Sequence, residues 1–266
     1  MILFFSGTGN TRMVAEWLAA HLDETLYDVV RQSPATLATH DWTTEKRLGI
    51  VFPVYGWGPP PLFLEALTWF FESLHASERE QVGRLYCFAL CTCGDDIGHT
   101  MQVLDRHLAT FSVKPKAHVS VTLPETYVAL PFFRLDTPKR CSEKEQVALE
   151  KLIRVSEQIN SRQTFTDTFP GRMPWTKTYV LRPLFNKHLV KGRYFKVADS
   201  CTACGRCADT CPFGNIRMTD NHPTWGDRCA GCLACYHSCP QNAIRYLSSG
   251  HKGQYRPKSV LTRLKS

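Results

Sequence analysis

The feature that most constrains this 266-residue chain is a cysteine run that occurs twice near its C-terminus. It reads Cys201-x2-Cys204-x2-Cys207-x3-Cys211-Pro212, then Cys229-x2-Cys232-x2-Cys235-x3-Cys239-Pro240. The pairs Ile216-Arg217 and Ile244-Arg245 follow at the same offset, so the segment is an internal duplication. Three thiolates at i, i+3 and i+6 on a tight loop can grip three irons of one [4Fe–4S] cube. The fourth cysteine points away and closes the other cube. That assigns Cys201, Cys204, Cys207 and Cys239 to one cluster, and Cys229, Cys232, Cys235 and Cys211 to the second. Pro212 and Pro240 fix φ and turn the chain away from each cube.

The competing readings are zinc and disulfides. A four-cysteine zinc site pairs two CxxC knuckles and has no third cysteine or Cys-Pro ending. Disulfide scaffolds belong to secreted chains, and Met1-Ile2-Leu3-Phe4-Phe5 lacks a basic n-region and a cleavage site. The reading therefore expects a reducing, cytoplasmic setting and a first strand at the N-terminus. The duplicated segment resembles bacterial two-cluster ferredoxins.

The net charge of +8 is unevenly placed. Residues 1–165 carry 16 basic and 19 acidic side chains, and residues 166–266 carry 16 basic and 5 acidic. Two anionic clusters with their thiolates offset much of that basic excess. No nucleic-acid recognition fold accompanies the charge, so nucleic acid is not expected as a partner. No apolar run reaches transmembrane length, so no integral membrane segment is expected.

The N-terminal apolar strand runs into Ser6-Gly7-Thr8-Gly9-Asn10-Thr11, and a helical pattern follows with Met13, Val14, Trp17, Leu18 and Leu22 on one face. A strand, a glycine- and hydroxyl-rich loop and a helix N-terminus make a phosphate site. Neither a G-x-G-x-x-G nor a Walker lysine is present. The loop resembles the FMN-phosphate loop of flavodoxins; an ordinary N-cap loop is the plainer alternative. Further strands are expected at 25–30, 48–52, 85–90 and 116–122, with helices at 62–75, 97–109 and 142–162. The third strand ends in Pro53, Val54, Tyr55, Gly56 and Trp57, aromatics able to cover a flat ring. The fourth runs into Thr92, Cys93, Gly94 and Asp95, after Cys91. Ligands of open α/β sheets bind beyond strand C-termini. Residues 123–140 form an apolar insertion, with Tyr127, Phe132 and Phe133 as a lid or a docking segment; a segment that only closes the core is the plainer alternative.

Together the three loops and the double cysteine run resemble the bacterial and archaeal flavodoxin–ferredoxin fusion family, over the whole length. The resemblance implies an α/β fold: a flavodoxin-like, doubly wound, parallel five-stranded sheet of order 2-1-3-4-5. A small C-terminal α+β two-[4Fe–4S] ferredoxin-like domain follows. The expected division is a flavodoxin-like domain over 1–165, an aromatic and basic linker over 166–197, a two-cluster domain over 198–248 and a basic tail over 249–266. The implied cofactors are FMN, held by the three loops, and two [4Fe–4S] clusters. The implied role is electron transfer with a redox protein partner. The alternative is an FMN-dependent reductase of a quinone, a porphyrin precursor or another small acceptor, fed through the clusters. No second nucleotide fingerprint supports direct NAD(P)H oxidation.

Overall fold

A computed structural model describes residues 1–37, 40–249 and 252–257. Six parallel strands form the main sheet: β1 (Ile2–Phe4), β2 (Leu26–Asp28), β3 (Arg47–Pro53), β4 (Tyr86–Cys93), β5 (Ala117–Thr122) and β6 (Phe165–Asp167). Their order is β2-β1-β3-β4-β5-β6. The first five follow the flavodoxin order; the expectation of five strands is corrected by β6, which pairs Phe165 with Ala117. This edge strand is three residues long and its middle residue is exposed, so no hydrophobic pattern announces it. Its register comes from β5.

Alternation along the buried strands sends side chains to two helical layers. On one face Leu3, Phe5, Ile50, Phe52 and Ala89 pack with Phe63, Phe70 and Leu104. These last come from α2 (Pro61–Ser73) and α4 (Thr100–Ala109); α3 (Ala76–Arg84) lies between them in sequence. On the other face Ile2, Phe4, Val51, Leu90 and Val119 pack with Val14, Leu18, Leu152 and Val155. These belong to α1 (Asn10–Leu22) and α5 (Pro138–Asn160). Pro61 opens α2 where no intrahelical N–H is needed. Helix α3, which the hydrophobic pattern does not signal, is set by a capping box between His75 and Glu78.

The stretch expected as a linker is folded. Helix α6 (Pro174–Thr176), a π-helical turn (Lys177–Leu181) and α7 (Arg182–His188) run as one continuous helical segment. Thr178 buries its hydroxyl there, donating to Trp57 O at 2.9 Å and accepting from His99 N at 2.8 Å. That pins the segment onto the sheet's C-terminal rim.

In the C-terminal unit β7 (Phe195–Val197) pairs antiparallel with β10 (Ile244–Tyr246). The hairpin between the repeats is β8 (Ile216–Thr219) with β9 (His222–Trp225). Short helices α8 (Arg206–Thr210) and α9 (Ala234–Ser238) each follow the first cysteines of a repeat. This unit shares one core with the insertion: Val128 and Ala129 are buried with Phe195, Leu233, Tyr236 and Ile244. Of the tail, residues 252–257 pack against both units, and 258–266 lie outside the described residues. No described helix is long and apolar enough to cross a membrane.

Candidate functional site

A cavity of about 690 Å³ opens at the C-terminal ends of β1, β3, β4 and β5. That volume lies within the range of small-molecule and cofactor sites. The β1–α1 loop contributes Gly7, Thr8, Asn10 and Thr11; the β3 end contributes Pro53, Val54, Tyr55, Gly56 and Trp57. The β4 end contributes Thr92, Cys93, Gly94, Asp95 and Asp96. Two of the loop residues singled out in the sequence, Ser6 and Gly9, are not on this wall. Ser6 Oγ accepts from Gly9 N at 3.2 Å and shapes the loop from behind. Gly9 takes φ +107° as the N-cap of α1, a conformation L side chains avoid. Thr8, Asn10 and Thr11 line the cavity at the start of α1, and first-turn N–H groups of a helix, which lack intrahelical acceptors, suit an anion. Asn10 and Thr11 act as struts. Asn10 Nδ2 donates to Pro124 O at 3.1 Å, and the Thr11 and Thr92 hydroxyls stand 2.8 Å apart.

Cys91 and Cys93 lie inside β4, not in the loop after it. Cys91 is buried in the core, and burial raises both thiols, that of Cys93 up to about 12. Cys93 reaches the cavity wall and Cys91 does not.

Tyr127 and Phe133, expected as a lid, line the cavity, but sequence reasoning missed much of the remaining wall. The helical segment covers the cavity with Lys177, Leu181, Leu184, Phe185 and His188. Phe185 seats on the β3 loop: a Cβ on Gly56 would lie 2.6 Å from its ring. Lys177 forms an ion pair with Asp96. From the β5 loop, burial raises the Glu125 carboxyl above the usual carboxylate value, while the N–H groups of Thr126 and Tyr127 hold it at 2.8 and 2.7 Å. Tyr127 lines the cavity, and its buried hydroxyl has no hydrogen-bond partner among the described residues.

The final wall is the second cysteine loop, with Gly231, Cys232 and Leu233. Cys232 also lines a separate small cavity with Cys211, Cys229 and Cys235. A third cavity gathers Cys201, Cys204, Cys207 and Cys239. Each repeat thus lends its fourth cysteine to the other's set. Asn215 N donates to Cys211 Sγ and Ala243 N to Cys239 Sγ, both at 3.3 Å, at equivalent places in the two repeats. Gly231 N donates to Cys229 Sγ at 3.4 Å. Four thiols about each cavity, with N–H groups directed at sulfur, form a donor set suited to an iron–sulfur cube. Cys204 is exposed, whereas Cys235 is buried. Among the described residues no three His, Cys, Asp or Glu side chains form a single-ion site.

A hydrogen-bonded bridge joins the cysteine unit to the first loop. His237, between Cys235 and Cys239, places Nε2 2.8 Å from Thr126 O and Nδ1 3.0 Å from Tyr255 N. A carbonyl on one side and an N–H on the other require the neutral imidazole with its proton on Nε2. The Tyr255 hydroxyl then donates to Asn10 Oδ1 at 2.7 Å. Gln254 Nε2 donates to Tyr236 O and Cys239 O at 2.6 and 2.7 Å.

The 4Fe-4S dicluster domain family matches residues 200–244. Among solved structures, the chain is similar to a flavodoxin of Streptococcus pneumonia TIGR4, with 15% identity over 60% of this chain and 97% of that one, TM-score 0.37. It is also similar to the Trp repressor binding protein of Bacillus subtilis, with 12% identity over 59% of this chain and 95% of that one, TM-score 0.42. The flavodiiron protein of Giardia intestinalis shows 12% identity over 60% of this chain and 35% of that one, TM-score 0.41. No curated protein matches the sequence.

Proposed function

We propose that this chain, a flavodoxin-like domain fused to a 4Fe-4S dicluster domain, is an electron-transfer iron–sulfur flavoprotein. One observation carries the reading: Cys232 belongs both to a four-cysteine cavity and to the wall of the 690 Å³ cavity. Whatever each cavity holds, the two occupants are neighbours.

In this proposal Cys201, Cys204, Cys207 and Cys239 ligate the outer [4Fe–4S] cluster, and Cys211, Cys229, Cys232 and Cys235 the inner one. FMN lies in the large cavity. The N-terminus of α1 with Thr8 would hold its phosphate, and residues 53–57, 92–95 and the helical cover would hold its ring. Bound there, a flavin would couple one-electron carriers to two-electron chemistry. The protein's part is to hold both groups rigidly, to exclude water with Tyr55, Trp57 and Phe185, and to leave the outer cysteine set facing a partner. The partner is a redox protein, and the setting is cytoplasmic. The division near residues 165 and 198 belongs to the same proposal, with the intervening segment serving as part of the flavin site.

A second reading, an FMN-dependent reductase of a small acceptor, draws on the polar groups of the wall that lie beyond the three flavin loops. Glu125, Tyr127 and the Lys177–Asp96 pair could orient or protonate such an acceptor.

Cofactor extraction and metal analysis of anaerobically purified protein test the proposal. The expected result is FMN with about eight irons and about eight sulfides per chain. FAD, zinc or about four irons contradicts it.

A further inference from the structure

The mouth of the large cavity is apolar and built by two unrelated segments. Phe133, Leu181 and Leu184 line the cavity, yet they are 38%, 41% and 52% exposed, so they stand at its opening. Beside them Phe132 is 96% exposed and Val180 41%. Folded chains place such side chains in water singly; three at one opening, with Phe132 and Val180 next to them in the chain, mark a surface that meets something. The charge of the helical cover is one-sided, although the cavity wall beneath it also carries Asp95, Asp96 and Glu125. Residues 168–198 contain seven lysines and arginines and no aspartate or glutamate. Lys177 is taken by Asp96, and Arg182 donates to Pro59 O at 2.8 Å. Arg134 directly follows the phenylalanine pair, and Lys187 lies one turn beyond Leu184; both are exposed.

We propose that this mouth docks on an anionic lipid bilayer, with the apolar side chains entering the headgroup boundary and Arg134 and Lys187 at the phosphates. The pairing of large apolar anchors with flanking cations, on an amphipathic helical segment and an adjoining loop, is that of interfacial attachment without a membrane span. A basic protein surface alone needs no phenylalanines, and an apolar protein interface alone needs no acid-free flank. The surface stands independently of which flavin the cavity holds.

Sedimentation of the holoprotein with vesicles tests it. Phosphatidylcholine vesicles carrying about one-third phosphatidylglycerol should retain the protein, and pure phosphatidylcholine should retain far less. Phe132→Asp with Val180→Asp, or Arg134→Glu with Lys187→Glu, should lower retention at least about tenfold while the visible spectrum stays unchanged. No retention on anionic vesicles overturns the proposal, as does retention that neither pair of substitutions reduces. A dimer that Phe132→Asp abolishes would give the surface to self-association instead and overturn it as well.

Discussion

Cys232 stands directly against Gly7: a Cβ built on Gly7 would lie 2.6 Å from the Cys232 Cβ and would also meet the Tyr55 hydroxyl. One residue belongs to the β1–α1 loop and the other to the second cysteine loop, so the two halves of the chain meet where their candidate cofactor sites meet. Gly7 has an ordinary φ; the demand for glycine here is close approach, not a left-handed turn.

Gly7→Ala should therefore separate the halves without removing any ligand. Overpacking of this kind costs about 1–3 kcal/mol. The thermal midpoint of the holoprotein should fall and its flavin content drop, with iron content less affected. Unchanged midpoint and flavin content would mean that the contact is loose.

Tyr255→Phe removes the donor to Asn10 Oδ1 and leaves a buried acceptor unsatisfied. The loss is about 1–3 kcal/mol, read as lower stability and weaker flavin binding in a titration of the apoprotein. A neutral result would mean that residues 252–257 decorate the loop without fixing it.

The crossed cysteine sets make an asymmetric prediction. Cys211→Ser should damage the set nucleated by the second repeat, and Cys239→Ser the set nucleated by the first. Each variant should retain about half of the iron and lose a different electron paramagnetic signal. If Cys211→Ser removed the signal that Cys204→Ser removes, the sets would not cross.

Glu125 gives the chain a pH dependence. Its folded-state carboxyl titrates above the ordinary value because of burial. The folded state therefore binds the proton more tightly than the unfolded chain. Its contribution is present below the unfolded value and is lost as pH rises through the folded one. Glu125→Gln keeps the acceptor for Thr126 and Tyr127 and removes the titration. Its advantage in thermal midpoint over the wild type should grow as pH rises toward neutrality. A constant difference would place the Glu125 charge outside the balance.

The cysteine spacing states the chemistry of the C-terminal unit outright, because a cube dictates which thiolates can reach it. The β1–α1 loop and the apolar strands β3 and β4 are equally plain, since burial on both faces forces continuous hydrophobic runs. What hides from sequence is long-range. Strand β6 takes its register from β5 rather than from its own residues. The helical cover spreads Trp175, Tyr179 and Phe185 along a segment rich in proline and cations, which reads as a linker until Thr178 is seen buried against Trp57 and His99. Tyr255 looks like part of a basic tail, and its role depends on Asn10, more than two hundred residues away. Ser6 and Gly9 belong to the expected loop, but they shape it and do not line the cavity.

The most direct test of the account asks whether the two sites act as one. The holoprotein is mixed with a one-electron donor and the flavin absorbance followed over a wide range of protein concentration. If the proposed clusters and flavin occupy the cavities that share Cys232, transfer between them runs within one molecule, so its rate should be fast and independent of protein concentration. A rate that rises in proportion to protein concentration would mean that electrons pass between molecules, and would contradict the account.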